Sequence, residues 1–186
     1  MSSDRRNWSR AETIVAFNIY CKVPFSKVTK TNRVIEYHAE LLGRTPSALS
    51  MKIGNLASLD PELKERGIGG LPNISRLDKE VWDEFHGDWD KLAFESEQIL
   101  ASLQHKNIRD LVHSDITPEE DVLPEGLDKQ TMVKTRVNQT FFRAAILSAY
   151  NKRCCITGIA VPELLVASHI IPWSERGDIK RGYIAR

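Results

Sequence analysis

Among the side chains that can do chemistry, His169 stands out by its setting. It follows the apolar run 164–168 and precedes Ile170, Ile171, Pro172 and Trp173. A neutral imidazole, with an ordinary pKa of about 6.5, can take a proton from water near neutral pH, so His169 is a candidate general base. Its neighbours limit what else it can do. Ser168 stands directly before it, and a serine hydroxyl is a weak ligand for a hard divalent ion. Residues 174–186 hold no His, Asn or Cys, which leaves Glu175 and Asp178 as the candidate ligands there. A histidine that merely ends a hairpin is the plainer alternative. The three cysteines, Cys21, Cys154 and Cys155, form neither a CxxC pair nor a disulfide framework. The adjacent pair reads as one side chain toward the core and one toward the surface.

The elements that must position His169 lie just upstream. From Val137 the periodicity is helical. Phe141, Phe142, Ala145, Ile146 and Tyr150 form the apolar face, with Arg136, Asn138, Gln139 and Arg143 on or near the other. Asn151 is placed to end that helix. Residues 154–157 read as a short strand, Gly158 as a turn and 164–168 as a second strand. Together they predict a β-hairpin with His169 at its exit.

The N-terminal part reads as helices. Ser9 can cap one that carries Ile14, Val15, Phe17 and Tyr20 and stops before Pro24. A second runs from about Asn32 to Leu42, with His38 as a half-buried packing residue and Gly43 at its end. Thr45 and Pro46 then start a third, which buries Leu49, Ile53 and Leu56. Three short helices with a glycine turn match a helix-turn-helix plan whose third helix would face DNA. In that plan Arg44 and Lys52 contact phosphate or bases, and Ser47, Ser50 and Asn55 are candidate polar readers. Residues 60–77 read as a loop; their glycine string neither follows a strand nor opens a helix, so it is not a phosphate loop. Asp78 is expected to cap the next helix, and Gly87 to break it before Asp88 starts another. The stripe Val81, Trp82, Phe85, Trp89 and Leu92 reads as core or a helix contact.

Net charge is +1, which hides a segregation. Residues 1–59 sum to +5, 60–128 to −11 and 129–186 to +7. Two basic ends suit phosphate-facing surfaces, though solvated surface charge explains them as well. Residues 113–128 hold two prolines, a glycine and six acids, and read as an exposed linker. No apolar run reaches 18 residues and the N-terminus lacks a signal-peptide core, so no membrane association is expected and the location reads as cytoplasmic. Asn73 and Asn138 open glycosylation sequons that such a location leaves unused.

The stretch RVNQTFFRAAILSAYNKRCCITGIAVPELLVASHIIPWS, residues 136–174, closely resembles the opening of the HNH endonuclease domain of bacterial restriction-like proteins. Arg136, Asn138, Gln139, Phe142, Arg143, Tyr150, Thr157, Gly158, Leu164, Leu165, Ala167, Ser168, His169, Ile170, Pro172 and Trp173 fit its pattern. The upstream stretches LLGRTPSALSMKIGNLASLDP and VWDEF also resemble the region that precedes such domains in some members. The resemblance implies a ββα-metal fold in which His169 is the general base. It also implies a divalent metal, Mg or Mn, opposite the base, bound by a downstream helix. SERGDIKRGYIAR, after Trp173, departs from the family's Asn-Gly-Leu continuation, which predicts a truncated or frameshifted domain.

The expected fold is therefore α+β. Residues 1–112 form a helix-turn-helix-like module, 113–128 a linker and 129–186 a partial HNH domain. The expected function is HNH-type DNA cleavage, inactive or incomplete in this chain. The alternative is a non-catalytic DNA-binding or protein-interaction remnant. Catalysis falls to His169 and DNA contact to Arg44, Ser47, Lys52, Arg136 and Arg143. The expected partners are double-stranded DNA and a second copy of the chain.

Overall fold

Ser9 and Glu12 set the first helix. The Ser9 hydroxyl accepts from the Glu12 backbone N–H, and the Glu12 carboxylate accepts from the Ser9 N–H at 2.8 Å. The computed structural model describes residues 6–108 and 129–168 of the 186. In it, α1 (Arg10–Lys22) is buried on every side from Glu12 to Cys21. Its sequence reads as an apolar stripe with polar breaks; the fold instead surrounds it, the position of a helix that must hide all its faces. Around it lie α3 (Pro46–Ala57), α5 (Arg76–Phe85), α6 (Trp89–Leu103) and α7 (Lys129–Ala149). The shorter α2 (Arg33–Leu41) packs on α3. Phe17 of α1 stacks on Trp82 of α5, with ring centroids 4.8 Å apart, and meets the edge of Trp89. The aromatic stripe is thus core.

The polar groups of α1 are each answered. Asn18 donates to the Ser96 hydroxyl of α6 at 2.5 Å. The Tyr20 hydroxyl donates to Asp60, whose other oxygen accepts from the Glu62 N–H and so caps α4 (Pro61–Glu65). Glu12 accepts from both Arg44 and Arg6.

Two boundaries differ from the sequence reading. Ser75, not Asp78, caps α5; Asp78 is the partner three residues on in a second reciprocal cap. The 60–77 segment holds α4, and then returns to pair Leu71 N–H with Gly54 O at 3.0 Å. Gly70 passes so close to α3 that a Cβ there would sit 2.4 Å from the Ser58 nitrogen. The glycine is there for backbone approach.

The α+β expectation is overturned. Among the described residues there are seven α-helices, two 3-10 turns and no strand. The expected hairpin is instead a closed turn followed by a 3-10 turn. Gly158, at φ +73, donates its N–H to Cys154 O at 3.0 Å, and Cys154 N–H donates to Ile159 O at 2.8 Å. Pro162 then opens the 3-10 turn Pro162–Leu164. A two-stranded ribbon holds together only with an apolar face to bury. Here Ile156, Leu164 and Val166 are 89%, 74% and 83% exposed, so the alternating pattern has no packed layer beneath it.

The residues of the expected linker lie outside the described ones. Helix α7, which follows them, buries Val137, Phe141 and Ala145 in the same core cluster as α1 and α6. No helix among the described residues is long and apolar enough to cross a membrane.

Burial by itself would raise the Glu12 pKa, but the Arg44 hydrogen bonds, the Ser9 N–H and the charges of Arg44 and Arg6 together hold it below the usual carboxylate value. A depressed folded pKa gives stability that is complete above the unfolded value of about 4.3 and is lost as pH falls through the folded one. Glu12→Gln should lower stability by about 2 kcal/mol at pH 7 and flatten its decline on acidification. Urea midpoints between pH 3 and 7 would measure both, and parallel curves for the two proteins would contradict the assignment.

Candidate functional site

His169 lies outside the described residues; the chain leading to it, 150–168, is described. Helix α7 ends where Asn151 and Lys152 both take positive φ and the Lys152 N–H returns to Leu147 O at 2.7 Å. Asparagine is one of the few residues that tolerates that backbone. The closed turn then begins at Cys154. Its Sγ accepts from the Thr157 N–H at 3.4 Å, and the hydrogen bonds of Thr157, Ile156 and Gly158 around the sulfur lower the thiol pKa. Cys154 is half-buried and Cys155 exposed, the split expected of the pair.

Arg143 reaches out from α7 to this segment. One guanidinium nitrogen donates to Leu165 O, and the other to Pro162 O at 2.9 Å. Arg136 is seven residues earlier and half-buried. The sequence read both as DNA contacts; the structure turns Arg143 toward main-chain carbonyls.

The N-terminal cations are also placed differently. Arg44 donates to both Glu12 oxygens at 2.9 Å and to the carbonyls of Arg6 and Asn7 at 2.7 Å, while its guanidinium lies 4.5 Å from the Trp8 ring centroid. Lys52 is only 4% exposed and donates to Asp78 at 2.6 Å. Both were expected on a DNA-facing surface, and both are engaged inside the fold. Ser47 is exposed on the first turn of α3, whereas Ser50 Oγ and Asn55 Oδ1 are enclosed. Thus the three polar readers of α3 do not share one open face.

Three cations not singled out from sequence are the exposed ones. Arg6, Arg10, Lys22, Arg44 and Lys52 all meet carboxylates. Lys27, Lys30 and Arg33, between α1 and the first turn of α2, are exposed and make no ion pair among the described residues. Their closeness in sequence was the available signal; knowing that the others are paired required the fold.

Among the described residues no group of three His, Cys, Asp or Glu side chains could hold a metal ion. The described residues therefore do not fit a divalent ion, and Glu175 and Asp178 lie outside them.

A basic helix whose arginine ties down the segment before Ser168-His169 is the kind of arrangement a phosphodiester-cleaving protein can use. The comparison with protein families agrees: the HNH endonuclease family model matches residues 154–185. The match starts at the closed turn, contains His169 and runs past Trp173, so most of the tail that departs from the expected continuation lies within it. No curated protein and no solved structure matches the chain.

The burial of Lys52 carries a consequence that separates structure from DNA contact. Lys52→Met leaves Asp78 as an unpaired buried carboxylate and should cost about 3–5 kcal/mol. Adding Asp78→Asn should recover part of the loss. Urea unfolding reads both; an unmoved midpoint with weakened DNA retention would return Lys52 to the DNA surface.

Proposed function

We propose that this chain is an HNH-type nuclease acting on DNA, with His169 as the general base. The observation that carries the reading is the family match over 154–185, which contains His169. The anchored segment before it supports the same reading. In the proposed step the neutral imidazole takes a proton from a water molecule as its oxygen attacks phosphorus and the bond to the leaving oxygen breaks. The family's usual dependence on a divalent metal applies to conditions of assay, since the described residues supply no ligand set.

The DNA-facing cations in this reading include Lys27, Lys30 and Arg33, which are exposed without ion pairs, in preference to Arg44 and Lys52. DNA binding without cleavage is the second reading, and the same exposed cluster supports it. Arg136 and Ser47 remain as further contacts in either.

The test is nicking of supercoiled plasmid with Mg²⁺ and, separately, with Mn²⁺. Wild type should nick, and His169→Ala should lose about 10²- to 10⁴-fold in rate. Equal residual activity in the two would remove His169 from the mechanism. Independently, the triple variant Lys27→Ala, Lys30→Ala, Arg33→Ala should reduce the salt dependence of duplex binding, by a slope of up to about 0.9 per lost phosphate contact. An unchanged slope would move the DNA surface elsewhere.

A further inference from the structure

Arg143 has a role that its place on a basic helix does not suggest. Residues 156–166 have little to hold them: the side chains of Ile156, Leu164 and Val166 are exposed, and no strand pairs there. Their backbone hydrogen bonds close locally, Gly158 to Cys154, Cys154 to Ile159, Leu164 to Val161 and Leu165 to Pro162. The described hydrogen bonds from α7 to this segment come from Arg143. Its guanidinium grips Leu165 O and Pro162 O, the two carbonyls at the ends of the 3-10 turn. A planar fork with fixed donors can span two acceptors at once, which a lysine ammonium on a flexible stem does not reproduce. The helix beneath is itself fixed, since Phe141, two residues earlier, is buried in the core.

The tie changes the length of the tether. From the end of α7 at Ala149, His169 is 20 residues away; from Leu165 it is four. Four residues reach at most about 14 Å. Fixing Leu165 therefore confines where His169 can be presented.

We infer that Arg143 is a positioning residue for His169, acting through the 162–165 turn; this rests on the proposed role of His169 as base. It differs from a phosphate contact in what it should alter. Loss of the tie misplaces the base while DNA binding is kept.

The full-length chain with ¹³C-labelled histidine provides the test. In wild type the His169 ring signal, assigned with His169→Ala, should be dispersed from the random-coil position. In Arg143→Ala it should collapse toward that position, and in Arg143→Lys it should lie between. An unchanged His169 signal in Arg143→Ala overturns the inference. Thermal melting checks that Arg143→Ala folds; if it does not, Arg143→Lys carries the comparison, and a wild-type signal there overturns the inference. Nicking kinetics add a second readout. The positioning role predicts that kcat falls by about 10²-fold with KM nearly constant. A raised KM with kcat intact would instead make Arg143 a DNA contact. If wild type fails to nick, the nuclease reading fails, while the histidine signal still decides whether Arg143 places His169.

Discussion

The fold depends on hiding one helix. α1 is enclosed on every side and yet carries Glu12, Thr13, Asn18 and Tyr20. Buried polar groups without partners are costly, so each demands a specific neighbour at a specific height along the helix. Glu12 fixes Arg44 and through it the α2–α3 turn and the chain at Arg6 and Asn7. Asn18 fixes Ser96 and hence α6. Tyr20 fixes Asp60, which starts α4. The apolar contacts supply most of the attraction, but these pairs choose among the ways such helices could pack.

The same requirement redistributes charge. Counting by sequence gives residues 1–59 a surplus of five positive charges. Much of it is turned inward or sideways to carboxylates on other helices: Arg10 to Glu84 and Glu95, Lys22 to Glu97, Lys52 to Asp78. These acids belong to the strongly acidic middle of the chain. The segregation of charge along the sequence is thus partly the two halves of ion pairs within one packed unit. A basic segment is evidence of a phosphate surface only after its internal partners are subtracted, and here Lys27, Lys30 and Arg33 survive that subtraction.

The local signals in the sequence were the legible ones. Ser9, Asn32, Thr45 with Pro46, and Asp88 all cap helices where their types suggest, and Gly43 and Gly87 take positive φ where helices end. Caps act within four residues, so four residues suffice to read them. The partners of Arg44 and Lys52 lie 32 and 26 residues away, and nothing local distinguishes a cation bound for the interior. The hairpin failed for a related reason. An apolar run such as 164–168 becomes a strand only against another layer, and that layer is a property of the fold, not of the run. Pro162, with no N–H to give, fits the 3-10 turn found there instead. Of the candidate site, the family pattern marked His169 and Arg143 together, without indicating that the second holds main chain.

That pairing links the core to the chemistry. A motif arginine beside a motif histidine invites the reading that both touch the substrate. The geometry separates them: α1 holds α7 through Phe141, over which Lys22 lies at 5.7 Å, and α7 holds the 162–165 turn through Arg143. A base needs to be placed to within a fraction of an ångström to be effective, and a segment with exposed apolar side chains cannot supply that by packing. Two charge-assisted hydrogen bonds onto carbonyls can, because they fix the backbone itself. On this view the buried helix and the base are parts of one mechanical path, and substitutions deep in α1 would reach His169 through α7 without touching DNA.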